Sequence, residues 1–292
     1  VGITAGPDGN LWFADIQANG IGRMTVEGVV TYFLIPTAST YPQSITFGPD
    51  GNLWFTETAE SVPNSIGRIT PSGTITEFPL PTAYSLPEGI TAGPDGNLWF
   101  TEQALNAIGR ITPNGTITEF PVPNVFSDTN HLGALLQGIT AGPDGNLWFA
   151  EWYLNILGRI TPTGTITAFP LPTAPTGPWG ITAGPDGNLW FTKVAGIEST
   201  QIGRFTLAGV FSQFQLPAWS DPKIIVSGPD GNLWFASNSS IDNSIGLVTP
   251  TGTVVGCPLP TSECMPYGIT TGPDGNLWFT EGDASTIGRI TP

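Results

Sequence analysis

The chain has 292 residues, with 8 basic against 23 acidic side chains and a formal net charge of −15. So acidic a chain carries no phosphate-binding footprint, which argues against nucleic acid as a partner and favours cations or basic groups. No apolar run approaches the roughly 18 residues that a membrane-spanning helix needs.

The predicted elements repeat from the first residues onward. The octapeptide GPDGNLWF occurs seven times unchanged, starting at Gly6, Gly48, Gly93, Gly142, Gly184, Gly228 and Gly272. Successive copies lie 42, 45, 49, 42, 44 and 44 residues apart, a period that points to a propeller-type repeat array. Gly 38 and Pro 29 fall at recurring positions, so they punctuate structure and do not signal disorder.

The third unit shows how one repeat folds. Gly89 to Gly93 is a short β-branched run, and Pro94-Asp95-Gly96 supplies the residues of a tight hairpin turn. Asn97 to Glu102 returns as a strand with Leu98 and Phe100 on one face and Trp99 on the other. A strand apolar on both faces must be covered on both, as when sheets stack against neighbouring sheets. Ala107 to Thr112 and Thr116 to Pro123 flank a second turn at Pro113-Asn114-Gly115. The last strand, polar and ending in Pro, suits an outer edge. Each unit is therefore a four-stranded antiparallel meander, with strands A to D from the inside outward. Residues 1–292 form one domain, an all-β, seven-bladed β-propeller.

Unit one opens at Val1, already at strand A, and units two to six are complete. Unit seven stops at Ile290-Thr291-Pro292 after strand C, so the last blade lacks its outer strand within this chain. Residues preceding Val1, a second copy or another strand-donating partner would pair with that edge, because an open edge is a template for strand addition. The longest insertion, Asn124 to Gln137, holds the only histidine, His131, which reads as an incidental surface residue. It and the links after strand B emerge on one face, which singles out that face as the one carrying function.

Two positions vary from blade to blade there. The residue ending strand B is Asp15, Glu57, Glu102, Glu151, Lys193, Ser237 or Glu281, and the residue before strand A includes Glu88, Trp179, Lys223 and Tyr267. These positions are expected to adjoin on each blade, placing Glu88 beside Glu102 in an acidic ring at the channel mouth. Carboxylates held close raise one another's pKa or recruit Mg²⁺ or Ca²⁺, with Glu88, Glu102 and Glu281 as candidate ligands. The plainer reading is that these glutamates bond backbone amides or the arginines of the repeated IGR motif. Trp152, Tyr153, Trp179, Trp219 and Tyr267 gather at the same rim, where a sugar or apolar ring would stack, or where they simply pack. Cys257 and Cys264, seven residues apart across a Pro-containing loop, are expected to close a local disulfide. Low Lys content and Thr-rich strands point to an extracellular or cell-surface protein.

The repeats GITAGPDGNLWFTE and IGRITPSGTITEFPLPT resemble those of the streptogramin B lyase (virginiamycin B lyase) family, and the NHL-repeat propellers are similar. The resemblance spans essentially all of Val1 to Pro292 and implies a seven-bladed propeller. It also implies a lyase that opens a cyclic depsipeptide at its ester by elimination, using Mg²⁺ held by acidic residues and a histidine base. The family's last blade presents Glu-Pro-His before strand A and Glu at the end of strand B. Here those positions are Met265-Pro266-Tyr267 and Glu281, so only Glu281 matches, and Lys223 replaces the histidine of the preceding blade. Tyr267 or Lys223 would serve as base only after a large fall in pKa.

Three readings follow. The first is a non-catalytic binding or assembly propeller, joined to neighbours at the open last blade. The second is a Mg²⁺-dependent lyase using Glu88, Glu102 and Glu281, and the third a carbohydrate-binding propeller using the rim aromatics.

Overall fold

The structure is a computed structural model. It describes residues 2–59, 62–123, 135–172, 177–194, 200–217, 220–239, 243–260, 264–282 and 285–292. His131 and Trp219 lie outside the described residues. Six four-stranded sheets and one three-stranded sheet, each with its strands in chain order, stand around a common axis. Blade three consists of strands A (Pro87–Ala92), B (Leu98–Glu102), C (Ala107–Ile111) and D (Ile117–Pro121). Blade seven has A (Pro266–Thr271), B (Leu277–Glu281) and C (Thr286–Ile290), as its sequence predicts.

Every residue of the octapeptide has a task in this frame. Gly96 sits at φ +76°, which closes the A–B turn without a Cβ in the way. Asp95 accepts the indole N–H of Trp99 at 3.0 Å and the side-chain amide of Asn97 at 2.7 Å. Burial alone would raise the Asp95 carboxyl, but these hydrogen bonds overcome it and hold the pKa below the ordinary value. The alternation of strand B then sends Trp to one side of the sheet and Leu and Phe to the other. Each tryptophan enters a core with the next blade's leucine and phenylalanine: Trp54 with Leu98 and Phe100, Trp99 with Leu147 and Phe149. The series closes when Trp278 of blade seven packs on Leu11 and Phe13 of blade one.

The outer layer repeats a second device. Trp99 stacks on Phe120 of strand D at 5.5 Å, and the Arg110 guanidinium lies 5.5 Å from the Trp99 ring and 5.4 Å from the Phe120 ring. Arg110 also donates to the Pro162 carbonyl in the C–D turn of blade four at 3.1 Å. Arg23, Arg68 and Arg204 make the same bond to Pro71, Pro113 and Pro250, so these arginines fasten one blade to the next.

Blade six alters this layer as a unit. Leu247 stands in the arginine's place opposite Trp234, and Cys257 stands opposite Ile245, where blade three sets Phe120 opposite Ile108. The expected disulfide is accordingly not formed: Cys257 is absorbed into the core of blade six, Cys264 turns to Glu281, and both are free thiols.

Candidate functional site at the channel mouth

The seven A strands line a central channel of about 220 Å³ whose walls are glycine, isoleucine, serine, threonine and valine. Its mouth is built by the residues just before or at the start of strand A, among them Gln43, Glu88, Gln137, Trp179 and Tyr267.

A repeated threonine positions them. Thr101 on strand B accepts the Gly89 amide at 3.0 Å and donates to the Gln137 carbonyl of blade four at 2.8 Å. In the same way Thr56 holds the Glu88 carbonyl at 2.9 Å, and Thr192 holds that of Lys223 at 2.8 Å. The blades approach so closely that a Cβ added to Gly89 would lie 2.8 Å from the Gln137 carbonyl oxygen. Glu88, Gln137 and Lys223 thus hang from backbone fixed by the preceding blade.

The expected acidic ring is not assembled. Strand A of blade three carries a bulge: Phe100 faces Ile90, but Glu102 faces Pro87 and not Glu88. Glu102 continues the Leu98 and Phe100 face, so its carboxylate is buried in the blade, with Ser85 and Glu119 as its neighbours. Burial first, and then the Glu119 charge, push it up to about 8. Glu57 is likewise buried and raised to about 8 by burial and the Glu77 charge. Glu151, raised to about 7 by burial, accepts the Tyr153 amide at 3.1 Å and the Leu154 amide at 2.6 Å, the structural role weighed for these residues. Glu281 is buried, accepts the Thr286 hydroxyl and lies beside Cys264. Trp152 packs against Gly177 and does not line the mouth, while Tyr153 is exposed.

Four predicted residues do come together. Lys223 lies 4.4 Å from the Trp179 ring centre and pairs with Asp221 at 3.0 Å. The Trp179 indole N–H donates to the Tyr267 hydroxyl oxygen. Burial, and then the negative charge of Glu88, raise the Tyr267 pKa well above the ordinary phenol value. Glu88 itself is raised to about 7 by its burial.

A virginiamycin B lyase family model matches residues 1–134 and 127–292. The chain belongs to the virginiamycin B lyase family. A solved streptogramin B lyase is 37% identical, with a TM-score of 0.88 over 99% of this chain and 91% of that one. The virginiamycin B lyase of Staphylococcus aureus is 38% identical, with a TM-score of 0.89 over 100% of this chain and 94% of that one. A catalytically inactive histidine-to-alanine variant of the S. aureus lyase, solved with quinupristin, matches equally well. The extracellular domain of a one-component system from B. thetaiotaomicron, 13% identical at a TM-score of 0.68, shares the fold alone; the chain covers 38% of it. Among curated proteins none matches.

Within this virginiamycin B lyase-family site, the donor set does not fit a Mg²⁺ ion. The position expected to carry a second carboxylate is Met265, whose thioether is a poor ligand for so hard a cation. Among the described residues no three His, Cys, Asp or Glu side chains converge as metal ligands.

Proposed function

We propose that this member of the virginiamycin B lyase family is a binding propeller that holds its ligand at the channel mouth without opening it. The observation that carries this reading is Tyr267. It occupies the place where the resemblance puts the histidine base, and its surroundings keep the phenol protonated at neutral pH. Lys223, the other substituted position, is tied to Asp221 and Trp179. A sugar stacking on Trp179 would have to displace that lysine, which disfavours the carbohydrate reading. Quinupristin, found with the inactive relative, is the natural test compound. Incubated with this chain and Mg²⁺, it is expected to stay cyclic on chromatography. An unsaturated ring-opened product accumulating above the buffer control would overturn the proposal.

We further propose that the protein acts outside the cell or at its surface, and that the edge of blade seven accepts an added strand. No helix among the described residues is long and apolar enough to cross a membrane. At blade seven Arg289 lies 5.4 Å from the Trp278 ring, yet its side chain is 52% exposed, because no strand D covers it among the described residues. The register of the arginine-bearing blades specifies the occupant: a phenylalanine opposite Ile287, as Phe120 stands opposite Ile108. A synthetic peptide carrying Ile-Thr-Glu-Phe-Pro is expected to bind this chain and raise its melting temperature. Equal binding by the same peptide with alanine for phenylalanine, or no binding, would remove the idea.

A further inference from the structure

The charges at the mouth are unevenly satisfied. Lys223 is neutralised by Asp221 at 3.0 Å and lies against the Trp179 ring. Glu88 lines the mouth, half-buried, and the charge that favours its ionised form against burial is that of the chain's amino terminus, with no described side chain bonded to its carboxylate. Its backbone cannot swing away, because Thr56 holds its carbonyl at 2.9 Å and the next residue, Gly89, is locked by Thr101. Tyr267 also lines the mouth and lies close enough to Glu88 to feel its charge. Its hydroxyl is engaged by Trp179, which fixes the ring.

A carboxylate beside a fixed aromatic ring, at a low-dielectric opening, is a pairing suited to an organic cation. The carboxylate supplies the counter-charge and the ring supplies a π-face. A hydrated metal ion suits it poorly, because one carboxylate and a phenol do not complete an oxygen shell. The burial that pushes Glu88 up to about 7 means that an arriving cation also compensates an ionisation that burial otherwise opposes.

We infer that Glu88 and Tyr267 form a subsite for an amine or quaternary ammonium group of the ligand that enters the channel mouth. The inference rests on the mouth being the ligand site, and it adds the chemical class of the group recognised. It also distinguishes the two ends of a bound ligand. A cationic group is drawn to the Glu88 side, while the Lys223 and Asp221 pair on the other side offers no net charge.

The test uses two probes of similar size, benzyltrimethylammonium and benzyl alcohol, titrated into the intact chain while the Trp179 indole N–H resonance is followed. The ammonium probe is expected to bind about tenfold or more tightly than the alcohol, and Glu88→Gln to remove that advantage. Because the side chain of Glu88→Gln keeps the size and the hydrogen-bonding reach of the original, its melting temperature is expected to stay close to the parent's. As a second measurement, the ammonium affinity falls with added salt while the alcohol affinity does not. Equal affinity for the two probes, binding of neither, or an unchanged ammonium affinity in Glu88→Gln would overturn the inference. These outcomes are separable from failure of the broader reading, which is detected as ring-opening of quinupristin whatever charge the mouth prefers.

Discussion

Raising the pH from 5 to 9 is expected to destabilise this propeller by several kcal/mol, although few surface groups titrate in that range. The cause is the set of carboxyls buried between and within the blades. Glu57 and Glu102 have folded pKa values of about 8 against an ordinary 4.5, and Glu151 about 7. In the unfolded chain these groups ionise near 4.5, so between that value and the folded one the native state binds more protons. Stability therefore falls with rising pH, at about 1.4 kcal/mol per pH unit for each group in its window. The contribution is fully present below 4.5 and is lost as pH climbs through about 8. The turn aspartates act with the opposite sign. Asp8, Asp50, Asp95 and their counterparts have lowered pKa values, so their contribution is present above the ordinary 3.8 and lost as the pH drops below it. Maximum stability is expected near pH 5. Urea denaturation of the parent and of a Glu57→Gln, Glu102→Gln double variant at pH 5, 7 and 9 checks this. The variant should show a much flatter alkaline limb, and parallel limbs would show that burial does not hold these groups protonated.

The second large effect concerns the tryptophans. Trp99→Ala is expected to cost about 3–5 kcal/mol, the range for removing a large buried aromatic side chain. Trp99 is fully buried, bonded to Asp95 and sandwiched with Phe120 and Arg110. Trp278 is almost as buried and keeps its aspartate, Asp274 at 2.9 Å, but among the described residues its outer face meets the half-exposed Arg289 and no strand-D aromatic ring. Aromatic pairs contribute about 0.5–1.5 kcal/mol beyond their area, so Trp278→Ala should cost less by about that amount. Denaturation midpoints of the two variants, compared at one pH, measure the difference. An equal or larger loss at Trp278 would show that the Trp, Arg and Phe sandwich contributes nothing beyond burial.

Much of the fold was legible in the chain because one octapeptide encodes a turn, a strand and both of its faces. Asp95, Asn97 and Trp99 belong to a single hydrogen-bonded unit, so their invariance across seven copies marks structure and not chemistry. The mouth was half legible. The residue before strand A does reach it, as Glu88 and Trp179 do. The residue ending strand B does not, because a bulge in strand A shifts the register by one between Phe100 and Glu102. The signal that places Glu102 was nevertheless present: simple alternation sets it on the Leu98 and Phe100 face, which is buried between blades. The disulfide expectation fails for a similar reason. Cys257 aligns with Phe120 of blade three, a core position, and reading the two cysteines as a loop pair hid that equivalence.

Substitution at Met265, Tyr267 and Lys223 separates the mouth's architecture, which the family shares, from the chemistry the resemblance implies. The threonines that fix the mouth backbone at Glu88, Gln137 and Lys223 are in place. The scaffold for presenting groups to a ligand is kept, while Met265 and Tyr267 stand where the resemblance implies a metal ligand and the base.

The most direct test follows quinupristin and the protein in one NMR tube with Mg²⁺ present. The Trp179 indole N–H signal is expected to move on addition of the compound, because that group bonds Tyr267 at the mouth, while the ester signals of the cyclic compound persist unchanged for hours. Growth of olefinic signals from an opened, unsaturated product, in proportion to protein concentration, would contradict it.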